Sequence, residues 1–275
     1  MTSTAPVTSG ILAVPDGRLY YEVRGGGPLV ALVGSPMDSG PFAAVADLLA
    51  SDYTVLTADP RGQGRSEIDE PDKDSTPELR ADDLARLITH VDAGRAVVLG
   101  SSGGAVTALA LAQARPELVS AIIAHEPPLR ELLDDLAEIS AAADQMIATY
   151  RSGDTLGAFK QFFAIAKLPL PEPVLQEMFG GERDAHALES DRRFFLHEFR
   201  PTTDFVPDID RLRRISTEIV IGIGDESAGQ FCDRTSRALG ARLGIEPILF
   251  PGGHGGFMEQ PDAFAKKLRE VLQDN

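Results

Sequence analysis

A serine in a glycine-rich segment has the surroundings that a nucleophile needs. Residues 100–104 read Gly-Ser-Ser-Gly-Gly, which matches the pattern G-x-S-x-G with Ser102 at its centre. The apolar residues 96–99 before it predict a buried strand, and the alanine-rich residues 105–114 after it predict a helix. In that setting the serine hydroxyl lies at the apex of a tight turn, and the Gly103 N–H points toward a developing oxyanion. This context favours a nucleophile over a helix-capping serine or a phosphate-binding loop.

The chain has five histidines, any of which could be the base that such a serine requires. His254 lies in a glycine-rich loop just after the predicted strand 245–250, at the end of the sheet where α/β proteins bind their ligands. We therefore predict that His254 is the base. His125 follows the predicted strand 119–124, and we interpret it as a packing residue or a substrate contact. His90 lies in a predicted helix with charged neighbours, and we expect it at the surface. His186 and His197 lie within residues 127–214, where they could line a pocket but where we do not expect catalysis.

Strands and helices alternate through the parts of the chain that carry these residues. Predicted strands cover residues 19–23, 29–33, 54–58, 96–99, 119–124, 218–223 and 245–250. Predicted helices cover residues 41–50, 78–91, 105–114, 230–239 and 262–272. This alternation favours a doubly wound, mostly parallel α/β sheet. The pattern stops at residues 127–214, which contain the helical stretches 129–150, 155–166 and 192–199 and no convincing strand. We predict that residues 1–126 and 215–275 form the sheet with its helices, and that residues 127–214 form a helical insertion over one end of it.

Two further motifs, together with the serine turn, resemble the α/β-hydrolase superfamily over nearly the whole chain. Residues 59–66 read D-P-R-G-Q-G-R-S, which is similar to the family's D-x-R-G-x-G-x-S loop. Residues 251–254 read P-G-G-H, which is similar to its C-terminal P-G-x-H segment. The insertion at residues 127–214 lies where the family carries its helical cap. The resemblance implies the α/β-hydrolase fold and a triad of serine, acid and histidine, and it implies neither a metal nor an organic cofactor.

Two carboxylates compete for the role of the acid that orients His254. Asp225 follows the predicted strand 218–223 in a segment that resembles the family's G-x-x-D turn, and it gives the chain order Ser, Asp, His. Glu126 follows the predicted strand 119–124, and some members of the family take the acid from that place. We predict Asp225 and keep Glu126 as the alternative.

The resemblance also implies an oxyanion hole made of two backbone N–H groups. In the family a His-Gly pair precedes the second donor, whereas this chain has Val33 and Gly34 at those positions, followed by Ser35. Backbone donation does not depend on the side chain, so we expect the N–H groups of Ser35 and Gly103 to form the hole. The residues that we expect to border a substrate pocket are Met37, His125 and Phe163.

The amino-acid composition of the chain restricts the kinds of partner that it can bind. The chain has 26 Lys and Arg against 42 Asp and Glu, a formal charge of −16 that repels nucleic acids and anionic lipids. Its single cysteine, Cys232, cannot form an internal disulfide, which fits a reducing compartment. The first six residues have no features of a signal peptide, and no apolar run reaches the roughly 18 residues of a membrane span. We expect a cytoplasmic protein that acts on a small molecule.

The prediction that follows is a serine hydrolase that cleaves a small ester, lactone or related acyl compound through Ser102, His254 and Asp225. Cofactor-free haloperoxidase (perhydrolase) and C–C bond hydrolase activities use the same triad in the family and remain alternatives. Two others are a non-catalytic ligand-binding protein and a tailoring enzyme of natural-product assembly, because one fold supports many functions.

Overall fold

The computed structural model describes residues 6–168 and 170–273 and shows an α/β fold built on one nine-stranded sheet. Residues 1–5, most of the segment in which the sequence predicts no signal peptide, lie outside the described residues. The strands are β1 (Val7–Val14), β2 (Gly17–Gly25), β3 (Leu29–Val33), β4 (Thr54–Ala58), β5 (Glu67–Ile68), β6 (Ala96–Ser101), β7 (Val119–His125), β8 (Glu218–Gly224) and β9 (Ile248–Phe250). The helices of the sheet-forming segments are α1 (Ala43–Leu49), α2 (Pro77–Val91), α3 (Gly103–Ala114), α10 (Phe231–Leu243), α11 (Gly256–Glu259) and α12 (Pro261–Gln273).

The strands follow the order β1-β2-β4-β3-β6-β7-β8-β9, and β5 pairs with β2. β2 is antiparallel to β1, β4 and β5, whereas the pairs from β4 through β9 are parallel. The predicted mostly parallel α/β sheet is confirmed. Because the parallel strands end at the same edge, the residues that follow β3, β6, β7, β8 and β9 come together there.

Helices cover both faces of the sheet, which explains why β3 is buried along its whole length. On one face α2 and α3 contribute buried side chains such as Leu84, Ile88 and Leu109. On the other face α1 and α12 contribute Leu49 and Leu268. Burying both faces accounts for the continuous apolar runs of the central strands, which lack the alternation of a half-exposed strand.

In the described part of residues 127–214, here called the insert, all regular elements are helical. They are α4 (Leu136–Arg151), α5 (Thr155–Ala166), α6 (Glu172–Phe179), α7 (Ala185–Arg193), α8 (Phe199–Thr203) and α9 (Ile209–Arg214). A π-helical turn, Phe194–Glu198, joins α7 to α8. A separate apolar cluster, rich in phenylalanine, packs α4, α5, α6, α8 and the π-helical turn against one another. No helix among the described residues has the length and apolar character needed to cross a bilayer.

Several element boundaries differ from the sequence predictions. The predicted strand 245–250 starts only at Ile248, because Ile245 N–H is bonded to Gly240 O at the end of α10 and Pro247 has no N–H to donate. The predicted helix 129–150 is a short 3₁₀ turn followed by α4 from Leu136. No predicted element corresponds to β1, which lies at the sheet edge with β2 as its partner, or to α6 in the insert.

Candidate active site

Ser102 lies between β6 and α3 in a sharply turned backbone, with φ 55° and ψ −123°. This region is unfavourable for residues with a side chain, and non-glycine residues are found there mainly where the surrounding structure imposes it. The close packing of the turn supplies that constraint. A Cβ on Gly104 would lie 2.1 Å from Val33 O, and a Cβ on Gly100 would lie 2.2 Å from Gly104 O. The two glycines of the motif therefore permit the approach of strand and helix that leaves Ser102 half-buried at the edge of the sheet.

His254 lies in the loop after β9, and its Nδ1 is 2.5 Å from Oε2 of Glu126. Glu126 directly follows β7 and is fully buried. Its second oxygen, Oε1, accepts a hydrogen bond of 2.8 Å from the N–H of Gly224 at the end of β8. Burial by itself raises the pKa of Glu126, but the hydrogen bond with His254 and the charge of that imidazole outweigh it and hold this pKa at about 2. Glu126 is therefore a carboxylate at neutral pH.

The prediction that Asp225 contacts His254 is wrong. Asp225 is exposed, and its Oδ1 accepts a hydrogen bond of 2.9 Å from the N–H of Gly252. Its own N–H donates to Phe250 O at 2.8 Å. Asp225 thus ties the end of β8 to the loop that carries His254, while the carboxylate that meets the imidazole comes from the neighbouring strand β7. The alternative residue, Glu126, occupies the position that we expected for Asp225.

Ser102 and His254 border the same cavity, which has about 740 Å³ of empty volume, part of it open to solvent. The walls of this cavity are mostly apolar, and most of them come from the insert. The apolar side chains that line it include Ile139, Phe162, Ile165, Leu168, Phe194, Phe199 and Phe231. An apolar cavity beside a few polar groups is the usual form of a small-molecule site.

Ser35 and Gly103, the two expected oxyanion donors, also line this cavity. They are adjacent, since a Cβ on Gly103 would lie 2.8 Å from Ser35 O. The sheet register explains the proximity: Val33 of β3 pairs with Gly100 of the parallel strand β6, so the segments that follow both strands leave the sheet side by side. The structure therefore brings together Ser102, His254, Ser35 and Gly103.

The three residues expected to border the pocket do not lie in the wall of this cavity, so that prediction is wrong. Met37 packs against the core around Phe42. Phe163 belongs to the apolar cluster of the insert and contacts Phe162 edge to face, with ring centroids 5.2 Å apart. His125 is fully buried, and its Nδ1 lies 3.2 Å from the hydroxyl oxygen of Ser101. Burial lowers the pKa of His125 to about 4, so its ring is neutral at pH 7.

Sequence reasoning missed six polar or sulfur-bearing residues of the cavity wall: Arg130, Glu198, Thr202, Thr203, Gln230 and Cys232. Glu198 had a detectable signal, because it is an ionisable residue in the aromatic run Phe-Phe-Leu-His-Glu-Phe of residues 194–199. Cys232 lies next to the acid and the imidazole. The possible ligand atoms of Glu126, Cys232 and His254 lie within 4.8 Å of one another, a set that could hold a metal ion. Burial raises the pKa of the Cys232 thiol, which therefore stays protonated at neutral pH.

Comparisons with known proteins agree with this architecture. A sequence profile of the alpha/beta hydrolase family matches residues 29–267. The chain is 30% identical to the uncharacterized hydrolase YraK of Bacillus subtilis over 97% of each chain. It is 26% identical to the zearalenone hydrolase of Bionectria ochroleuca over 97% of this chain and 98% of that protein. The crystal structure of the enol-lactonase from Burkholderia xenovorans superposes with a TM-score of 0.70, at 19% identity, over 96% of this chain and 100% of that one. The chain belongs to the alpha/beta hydrolase family and is an enzyme of the hydrolase class.

Proposed function

We propose that this enzyme hydrolyses a small ester or lactone with Ser102 as nucleophile, His254 as base and Glu126 as the acid that orients the base. The observation that carries the proposal is the 2.5 Å contact between His254 Nδ1 and Glu126 Oε2 at a cavity that His254 and Ser102 both border. A buried carboxylate on one imidazole nitrogen leaves the other nitrogen, Nε2, to accept a proton.

The reaction would proceed in two stages. As Ser102 Oγ bonds to the substrate carbonyl carbon, its proton passes to His254 Nε2, and the carbonyl oxygen becomes an oxyanion. The N–H groups of Ser35 and Gly103 donate to that oxyanion. The ester C–O bond then breaks, the leaving alkoxide takes the proton from His254, and an acyl-enzyme remains. A water molecule then gives a proton to His254 and attacks the acyl carbon. The bond between the acyl carbon and Ser102 Oγ then breaks, His254 returns the proton to that oxygen, and the carboxylic acid product is released.

Glu126 supports this cycle electrostatically. Because its pKa is held at about 2, it remains ionised while His254 gains and loses its proton. Its negative charge stabilises the imidazolium, and its hydrogen bond at Nδ1 selects the tautomer with a free Nε2. The backbone N–H of Gly224, which donates to the other oxygen of Glu126, holds the carboxylate in that orientation.

The character of the cavity supports an apolar substrate as part of this proposal. Its aromatic and aliphatic lining favours an acyl or alcohol group with a hydrophobic body, for which binding removes apolar surface from water. The formal charge of −16 also disfavours anionic esters in the encounter step. Zearalenone hydrolase and YraK, both named as hydrolases, match almost the whole chain and support hydrolysis as the reaction type.

The nucleophile can be tested with Ser102→Ala and its neighbour Ser101→Ala as a matched pair. We expect Ser102→Ala to lower kcat for a p-nitrophenyl ester by at least about 10³-fold and to abolish labelling by a fluorophosphonate. Ser101 is fully buried and follows the strand pairing, so Ser101→Ala should retain most activity and full labelling. Equal losses in both variants, or a label located by mass spectrometry on another residue, would contradict the assignment.

A further inference from the structure

A second carboxylate lies in the same cavity as Ser102, on the side of the expected oxyanion hole. Glu198 is the last residue of the π-helical turn Phe194–Glu198 and is 1% exposed. π-Helical turns inside helices often occur at functional sites, because they re-aim a side chain. Here the turn places a charged group from the aromatic insert against the sheet-forming part of the chain.

Glu198 contacts three polar side chains from that part of the chain. The hydroxyl of Ser35 donates to Oε1, and the side-chain amide of Gln63 donates to Oε2 at 3.0 Å. The guanidinium of Arg80 lies 3.8 Å from Oε1 and is itself 3% exposed. A hydrogen bond to a carboxylate is stronger than one between neutral groups, so the Ser35 hydroxyl is held firmly.

Arg80 explains how a buried negative charge is tolerated next to a developing oxyanion. Its Nη1 faces Glu198 and bonds to Ser75, while Nε donates to Thr107 of α3 at 3.0 Å. Its Nη2 donates to Thr202 of the insert at 2.8 Å. The positive charge compensates that of Glu198, which would otherwise oppose an oxyanion in a low-dielectric cavity.

We propose that Glu198 is a positioning residue that acts through the Ser35 hydroxyl and holds the Ser35 N–H in line with Gly103. This inference rests on the proposed hydrolase mechanism, in which those two N–H groups bind the oxyanion. Ser35 is 2% exposed, and the strand before it ends at Val33. The bond to Glu198 therefore fixes a loop residue that the sheet no longer constrains. It also makes the geometry of the oxyanion hole depend on the docking of the insert.

The first measurement compares Glu198→Gln with Glu198→Ala on a short p-nitrophenyl ester. Loss of one oxyanion donor costs about 10²- to 10³-fold in kcat, and a displaced donor should cost less. We expect Glu198→Ala to lower kcat by about 10- to 100-fold while KM changes by less than about threefold. Glu198→Gln keeps one oxygen for Ser35 and should recover part of the loss. The affinity for a trifluoromethyl ketone, whose adduct carries an oxyanion, should fall in parallel with kcat/KM.

The second measurement tests whether Glu198 acts through Ser35. Ser35→Ala removes the hydroxyl and keeps the backbone N–H, so it should also lower kcat. In the Ser35→Ala, Glu198→Gln double variant the losses should not multiply, because both substitutions break one link. If the two losses multiply, Glu198 acts by another route and the proposal is wrong.

Ser190→Ala is the matched control for a role limited to docking the insert. Ser190 Oγ donates to Gln63 Oε1 at 2.6 Å, so this variant removes a bond between insert and sheet-forming part without touching Ser35. If Glu198 only docked the insert, Glu198→Ala and Ser190→Ala would both lower the melting temperature and raise KM, and kcat would stay unchanged in both variants. That result overturns the inference. If instead Ser102→Ala retains turnover, the proposed mechanism itself has failed. Wild-type kcat in Glu198→Gln and Glu198→Ala, with Ser102→Ala inactive, rejects only the positioning role.

Discussion

Ser102 and Glu126 both have a positive φ, of 55° and 54°, which is uncommon for residues with a side chain. Each is the residue directly after one of two adjacent parallel strands, β6 and β7, and the register pairs Ser101 with His125. The N–H of Ser102 donates to His125 O at 2.9 Å, and the N–H of Glu126 donates to Gly222 O at 3.0 Å. These bonds to neighbouring strands help to hold a conformation that costs free energy in an isolated chain. Non-glycine residues at positive φ gather at functional sites, and these two agree with that tendency.

At the residue scale, the test of the acid compares Glu126→Gln with Asp225→Asn. Glu126→Gln removes the negative charge beside His254, so the imidazolium loses its stabilisation and the wrong tautomer gains population. We expect kcat to fall by roughly 10³- to 10⁴-fold, the range known for loss of the orienting acid in a triad. The measurement is kcat for an activated ester at pH 7.5.

Asp225→Asn serves as the control for this substitution. Asparagine retains an oxygen that can accept the hydrogen bond from Gly252 N–H, so we expect less than a tenfold change in kcat. The reverse ranking, with Asp225→Asn the more damaging, would return the role of the acid to Asp225.

At the scale of elements, the insert carries aromatic side chains of two kinds: some line the cavity, and others only pack within the insert. Phe162 and Phe163 are neighbours on α5, and both are half-buried. Phe162 lines the cavity and contacts Phe194, with ring centroids 5.1 Å apart. Phe163 does not line the cavity; it lies near Phe179 of α6, at a centroid distance of 6.0 Å, and like Phe162 it packs against the apolar cluster of the insert. One position on the helix thus separates a cavity wall from an internal packing contact.

We therefore expect the substitutions Phe162→Ala and Phe163→Ala to have different effects. Phe162→Ala enlarges the cavity and should change the ratio of kcat/KM for a bulky ester to that for a short ester by about tenfold, the size expected from lost apolar contact. Phe163→Ala should lower the melting temperature and leave that ratio within about twofold. Both quantities are measured on both variants. An unchanged ratio in Phe162→Ala would show that its side chain does not contact the substrate.

At the scale of the whole molecule, a buried histidine makes the stability of the fold depend on pH. His125 contacts Phe250 and Phe264 edge to face, and the titratable groups that act on its pKa are Glu126 and His254. Burial lowers its pKa from 6.5 to about 4. As the pH falls through this range, the unfolded chain binds a proton before the folded chain does. The free energy of unfolding therefore decreases between about pH 6.5 and pH 4.

The prediction is tested with His125→Gln. Between pH 7.5 and pH 5 the wild type should lose on the order of 2 kcal/mol of unfolding free energy through His125, and the variant should lose that much less. Urea unfolding at the two pH values measures the difference. Phe250→Leu, which disturbs the same packing without removing a titrating group, should keep the wild-type pH dependence. A variant His125→Gln with an unchanged pH dependence would show that this histidine does not titrate as its burial requires.

The sequence by itself predicted the alternation of strands and helices in the sheet-forming segments, and it located Ser102 and His254 as the candidates for the two reacting side chains. Apolar periodicity predicted β3 and β4 with their boundaries, and glycine spacing located Ser102, because both depend on residues close together in the chain. His254 was predicted in the same way, from a loop after the last strand. Backbone hydrogen bonding, burial and tight turns follow from local residue types, so a linear pattern is sufficient for them.

Only the tertiary structure decided which carboxylate meets His254 and which aromatic side chains face the cavity. Glu126 and Asp225 follow adjacent strands, so the linear pattern offers both candidates. The contact that distinguishes them joins residues 128 positions apart and depends on strand register and on the positive φ of Glu126. Glu198 is a similar case, since its partner Ser35 is 163 positions away. Contacts between distant segments depend on how whole elements pack, and no local pattern in the chain records that packing.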